Sequence, residues 1–180
     1  MNSICLDREW TFRKGLLDSV SQLKSDPGIT VNLPHDGMIG TPVIPDAPAR
    51  SDMGYFTGGL SNYTKYVSIP REWENGCVGL QIDGAMLNAS VEVNGCKAAL
   101  QHYGYAPFYV DLTGLVEYGA ENRITVNVNT SMQPNSRWYT GDAGRSRPVG
   151  YGIFYRRTEQ LYKVCVHSPG MGKRLRRPAD

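Results

Sequence analysis

Between residues 66 and 128 apolar and polar positions alternate with a period of two, and Gly, Pro or Asn breaks the runs every eight to twelve residues. This rhythm predicts short antiparallel strands, each with one face inward and one outward, in a sandwich or barrel. Ahead of that stretch, 9–12 reads as an opening strand with Trp10 and Phe12 on one face, and 30–33 as a short strand stopped by Pro34. Within 15–25, Leu16, Leu17, Val20 and Leu23 have helical spacing and predict a short helix or an ordered loop. Residues 36–59 are rich in Gly and Pro and have little periodicity. They predict a long surface loop, and such loops carry function more often than the elements they join.

The alternating part resolves into strands at 63–69, ended by Pro70, and at 77–82, after the turn Glu74-Asn75-Gly76. A strand at 89–93 runs into Asn94-Gly95, the dipeptide best suited to the positive φ angles of a tight hairpin. Strands at 108–112 and 123–129 flank 114–122, which holds a turn around Gly119. Six or seven strands with at most one short helix predict an all-β sandwich.

Charge and composition narrow the function classes. A chain of 180 residues suits one domain with its own core. The net charge of +2 gives no case for nucleic acid or an anionic membrane. It conceals an asymmetry, since residues 142–180 carry nine Lys/Arg against three Asp/Glu while the body is mildly acidic. Cys5, Cys77, Cys96 and Cys165 form no Cys-x-x-Cys pair, and His35, His102 and His167 add no ligand spacing, so reduced thiols in a cytoplasm and no metal are expected. The start lacks a basic segment followed by an apolar core, and no run approaches a membrane helix.

Several residues invite chemistry and also a plainer reading. Pro34-His-Asp36 suits a metal or acid/base fragment, but at a strand end it reads first as a hydrogen-bonded corner. Tyr103, Tyr105 and Phe108 would make a sugar platform if exposed, and core packing if alternation turns them inward.

An ordered series of fragments then carries a resemblance. Trp10-Thr-Phe12, Leu33-Pro-His-Asp36, Gly58-Gly59 followed by Tyr63-x-Lys65, Val67-x-Ile-Pro-x-x-Trp73 and Ile82-Asp-Gly84 come first. Ala89-Ser-Val-Glu-Val-Asn-Gly95, Gly104-Tyr-x-Pro-Phe108, Asp111-Leu-Thr113, Asn122-Arg-Ile-Thr-Val126 and Ser136-Arg-Trp-Tyr-x-Gly141 follow in order. Over roughly residues 10–141 the chain resembles the N-terminal sugar-binding domain of glycoside hydrolase family 2, which includes many β-galactosidases, β-glucuronidases and β-mannosidases.

The resemblance implies a jelly-roll β-sandwich of the galactose-binding-domain-like type, preceding an immunoglobulin-like domain and a (β/α)8 barrel. In that family two Glu residues on the barrel perform retaining hydrolysis. The expectation is therefore a substrate-recognition domain of a β-galactosidase-like enzyme of carbohydrate metabolism, truncated before the barrel, with no catalytic residue, metal or cofactor of its own. Its partners would be a terminal galactose-like sugar of a β-glycoside and the missing domains. The alternative is a free-standing carbohydrate-binding module without hydrolase activity.

Carried over by position, the resemblance places Ser51 and Asp52 near the sugar, in the loop before Gly54-Tyr55. Asn135 and Ser136 form a second patch, where some relatives carry an Asp that bonds sugar hydroxyls, and Trp138 offers a stacking face. Against this, Asp52 also reads as a solvated or turn-stabilising carboxylate, and Trp138 equally as domain packing.

After residue 141 the pattern departs from the family. Residues 142–180 read as an atypical basic tail, either frameshifted and disordered or partly a closing strand at 160–167. In the latter case Tyr151-Gly-Ile-Phe-Tyr-Arg156 is the family's Gly-Ile-Tyr-Arg element displaced by an insertion.

Overall fold

The computed structural model describes residues 2–15, 26–38, 41–48, 50, 54–85, 88–104, 106–131 and 151–156. Their strands are β1 (Asn2–Cys5), β2 (Trp10–Lys14), β3 (Ile29–Val31), β4 (Leu60–Ile69), β5 (Cys77–Ile82), β6 (Ala89–Val93), β7 (Cys96–Gln101), β8 (Phe108–Asp111), β9 (Ala120–Asn129) and β10 (Tyr151–Arg156). Every pairing is antiparallel. One sheet has the order β1-β10-β5-β8 and the other β3-β2-β4-β9-β6-β7. The fold is the all-β sandwich that the alternation predicts, with a 3-10 turn at Arg71–Trp73 after β4.

Alternation builds the core. On β2, Trp10 and Phe12 face inward, and on β9 Ile124, Val126 and Val128 do. These meet Val78, Leu80 and Ile82 of β5 and Val110 of β8 in a single apolar cluster between the sheets. A fully buried side chain such as Leu80 contributes about 2 kcal/mol by leaving water. Trp10 keeps its indole N–H satisfied by donating it to the Leu6 carbonyl.

A polar residue organises the turn between β8 and β9. Asn122 is fully buried. Its amide donates to the carbonyls of Glu117 (2.8 Å) and Ala120 (3.1 Å). Its oxygen accepts the Glu117 N–H (2.7 Å) and the Asn94 side-chain N–H (2.8 Å). Asn94 and Gly95 hold φ of 52° and 87°, as the hairpin between β6 and β7 requires.

The strand map is fuller than the sequence pattern. β1 and β7 have no counterpart in the predicted set, and β4 and β9 each begin three residues earlier than expected. β7 is an edge strand with β6 as its hydrogen-bonded partner, and its residues are exposed or half-buried, so it lacks the inward apolar beat that the prediction relies on. Residues 151–156, within the tail, form β10, which pairs with both β1 and β5 and so supplies hydrogen bonds on both of its edges. Of the segment 15–25, predicted as a short helix or ordered loop, all but Gly15 lies outside the described residues, as does the predicted strand at 160–167.

Candidate functional site

The 36–59 loop is tied down at both ends. Its start is held by Lys14, whose Nζ donates to the Gly37 carbonyl at 3.1 Å. Its end is held by Thr130, whose N–H and hydroxyl both donate to the Gly59 carbonyl at 2.8 Å. Gly59 has a φ of 125°, a backbone conformation that favours glycine. Inside the loop, Ile44 N–H donates to Tyr55 O, and Tyr55 N–H to Arg50 O. Arg50 and Tyr55 both sit at positive φ, 46° and 63°, which costs free energy in a side-chain-bearing residue.

Ser51 and Asp52 fall between these two anchors and lie outside the described residues. Asn135, Ser136 and Trp138 also lie outside them, and the last described residue before that patch is Ser131. Its N–H and hydroxyl both donate to Asn129 Oδ1. The end of the 36–59 loop and the end of β9 meet directly, since the Gly59 carbonyl accepts both bonds from Thr130.

At the root of the loop, His35 Nδ1 lies 3.0 Å from Tyr63 Oη. Phe12 packs on both, with ring centroids 4.7 Å from His35 and 5.1 Å from Tyr63. Asp36 Oδ1 accepts the Met38 N–H at 2.7 Å and closes the turn into the loop. Burial lowers the pKa of His35, and the attraction of Asp36 opposes that shift. The same two influences act on Lys14, which is also lowered. Burial, then the Asp36 charge, pushes Tyr63 well above its ordinary value. A neutral imidazole beside a neutral phenol, with the carboxylate bonded to backbone, makes His35 and Asp36 the hydrogen-bonded corner. Among the described residues no group of three or more His, Cys, Asp or Glu is placed to hold a metal. Tyr103 is half exposed, whereas Phe108 packs against the core, so these two do not form one platform; Tyr105 lies outside the described residues.

The sequence reading overlooked the outer face of the six-stranded sheet. Register aligns Arg13, Asn62, Asn127 and Ser90 across β2, β4, β9 and β6. Thr64 Oγ1 donates to Asn62 Oδ1 (3.1 Å), Asn62 Nδ2 to Asn127 Oδ1 (2.8 Å), and Asn127 Nδ2 lies 3.5 Å from Ser90 Oγ. The available signal was the polar half of the alternation, two Asn and two Thr at every second position of adjacent strands.

No protein-family model matches the chain. It is 31% identical over 139 residues to a β-galactosidase of Bacteroides ovatus, spanning 74% of this chain and 16% of that protein. It is 33% identical over 98 residues to a β-glucuronidase of Paenibacillus borealis, spanning 51% of this chain and 16% of that protein. Among solved structures, a glycosyl hydrolase family 2 member from Bacteroides cellulosilyticus superposes with a TM-score of 0.71 at 29% identity, over 86% of this chain and 20% of that one. A β-glycosidase from Bacteroides vulgatus gives 0.67 at 27% identity, with the same coverage. By sequence and by fold the chain belongs to glycoside hydrolase family 2, and it spans a fifth or less of the length of these relatives.

Proposed function

We propose that this chain is the substrate-recognition domain of a family 2 β-glycosidase, a jelly-roll sandwich whose loops help to hold a terminal galactose-like sugar. The observation that carries this reading is the 31% identity to a β-galactosidase over 139 residues. The anchoring of the 36–59 loop supports it. The Gly59–Thr130 tether joins the segment that follows Ser51 and Asp52 in the chain to the one that precedes Asn135, Ser136 and Trp138. In this reading the polar four bind sugar hydroxyls and Trp138 stacks on the sugar's C–H face. Retaining hydrolysis needs two carboxyl groups about 5 Å apart across the scissile bond, and no pair here is assigned that role. The reading therefore has the chain inactive by itself and its parent enzyme active.

The test is an NMR titration of the isotope-labelled chain with galactose, glucuronic acid and mannose, alongside a hydrolysis assay on nitrophenyl glycosides. Galactose is expected to shift resonances near residues 50–59 and 130–138 with a Kd weaker than about 1 mM, because part of the site is missing. Hydrolysis should be absent. Micromolar binding would favour the free-standing module, and no shift with any sugar would overturn both readings.

A further inference from the structure

The outer face of the six-stranded sheet is hollowed into a groove of about 600 Å³. That volume falls within the range of ligand sites, about 300–1,000 Å³. The groove lies on the sheet, and its described lining shares no residue with the 36–59 loop. Its floor is the hydrogen-bonded row of Asn62, Asn127 and Ser90. Among the described residues, Arg13, Lys97 and Arg123 line it against one carboxylate, Glu92.

We propose that this groove binds an acidic oligosaccharide, with carboxylate or sulfate groups on Arg123, Arg13 and Lys97, ring hydroxyls on the amide row, and one sugar ring on Tyr66. Three observations converge on this ligand.

The first is charge: three cations facing one anion complement a polyanion. Arg13 is pre-positioned, because its Nε–H donates to the Asp26 carbonyl (2.8 Å) and an Nη2–H to the Pro27 carbonyl (3.1 Å). Guanidinium has five donors, so three remain to meet anionic oxygens.

The second is the polarity of the floor. Each Asn amide in the row uses one N–H on its neighbour and keeps the other. The floor thus offers donors at the spacing of adjacent strands, about 4.8 Å, to the acceptor oxygens of a chain lying across the sheet.

The third is Tyr66. It is 58% exposed and stands directly across from Arg123 in the β4–β9 register, so one rung presents an aromatic face beside a cation. A protein partner would favour an apolar centre, whereas here the apolar residues Ala98, Ala99 and Leu100 lie at one side, on the edge strand β7, and the floor is the amide row. Single-stranded nucleic acid would favour successive aromatic platforms, and Tyr66 is the single aromatic residue in the described lining.

The experiment is calorimetric titration of the whole chain with four probes: tetragalacturonate, a sulfated galactose tetramer, neutral galactotetraose and a single-stranded oligonucleotide. The acidic oligomers should bind about tenfold or more tightly than the neutral one, and added salt should weaken them. The stronger of the two acidic arms identifies uronate or sulfate as the recognised group. Arg123→Gln should weaken acidic binding about tenfold. Glu92→Gln should tighten it about twofold by removing the one opposing charge, and this variant decides the matter if Arg123→Gln does not fold. Equal binding of acidic and neutral oligomers, tighter binding of the oligonucleotide, or no response to Glu92→Gln would overturn the proposal. Galactose shifts near the loop are read separately, so their persistence in any of those cases leaves the proposed function intact.

Discussion

The two faces of β4 and β9 share one backbone and do opposite work. Inward, Tyr63, Val67, Ile69, Ile124, Val126 and Val128 join the apolar cluster between the sheets. Outward, Asn62, Thr64, Tyr66, Arg123, Thr125 and Asn127 face the groove. A slip of one residue in the ten-residue β4–β9 register would exchange the two sets, so the inner face fixes the position of every outer side chain. Packing sets the geometry, and the outer face is free to carry chemistry on it. That division predicts steep costs for changes inward and shallow ones outward.

The largest effect should come from Ile124→Ala, which removes a fully buried side chain at the centre of the six-stranded sheet. The expected loss is about 3 kcal/mol from transfer and cavity together, read as a lower midpoint in urea unfolding with an unchanged slope. A loss below about 1 kcal/mol would mean that the site collapses around the deletion.

Asn122 is the exception that sharpens the comparison, a polar residue on the inward face with four hydrogen bonds. Asn122→Ala takes the partner from the Glu117 and Ala120 carbonyls and from the Glu117 N–H and should cost about 2 kcal/mol. Hydrogen exchange should rise at Glu117 and Asn94 before the rest of the sheet responds. Uniform destabilisation would show that the turn between β8 and β9 unfolds only with the whole domain.

Outward, Asn127→Ala breaks the amide row but leaves its former partners Asn62 and Ser90 lining the groove, not sealed between the sheets. Its expected cost is about 1 kcal/mol or less. A cost matching that of Asn122→Ala would make the outer row a structural element, not a recognition surface.

What the sequence revealed follows the same division. Strands with an inward apolar beat, such as Cys77–Ile82 and Ala89–Val93, were legible to the residue, as was the Asn94-Gly95 turn, because burial and positive φ leave strong local signatures. β7 was not, because an edge strand with half-exposed residues has no period to read. β10 was not, because its place between β1 and β5 depends on partners sixty-nine or more residues away in sequence. The same holds for the sites. The ordered motifs pointed to the 36–59 loop, but the groove exists only once Arg13, Asn62, Ser90 and Asn127 are brought into register, and no local pattern records that pairing.

The smallest expected effect tests the loop root by pH. Half-burial makes folded His35 a weaker base than an unfolded histidine, with an ordinary value of 6.5, and Asp36 restores only part of the difference. Below that value the unfolded chain takes up a proton before the folded chain does, so stability falls with falling pH; above it both states are neutral at this residue and no slope remains. Asp111, held low chiefly by its hydrogen bond from the Thr113 hydroxyl, acts near and below the ordinary carboxyl value of 3.8, outside this window. His35→Gln keeps a hydrogen-bonding group toward Tyr63 and removes the titration. The stability difference between wild type and variant should therefore shift in favour of the variant as pH drops from about 7 to about 5, and stay constant above about 7. Parallel thermal-denaturation curves across that window would mean that the imidazole keeps its ordinary affinity for protons, and that the corner at the loop root is more open to water than its packing against Phe12 and Tyr63 implies.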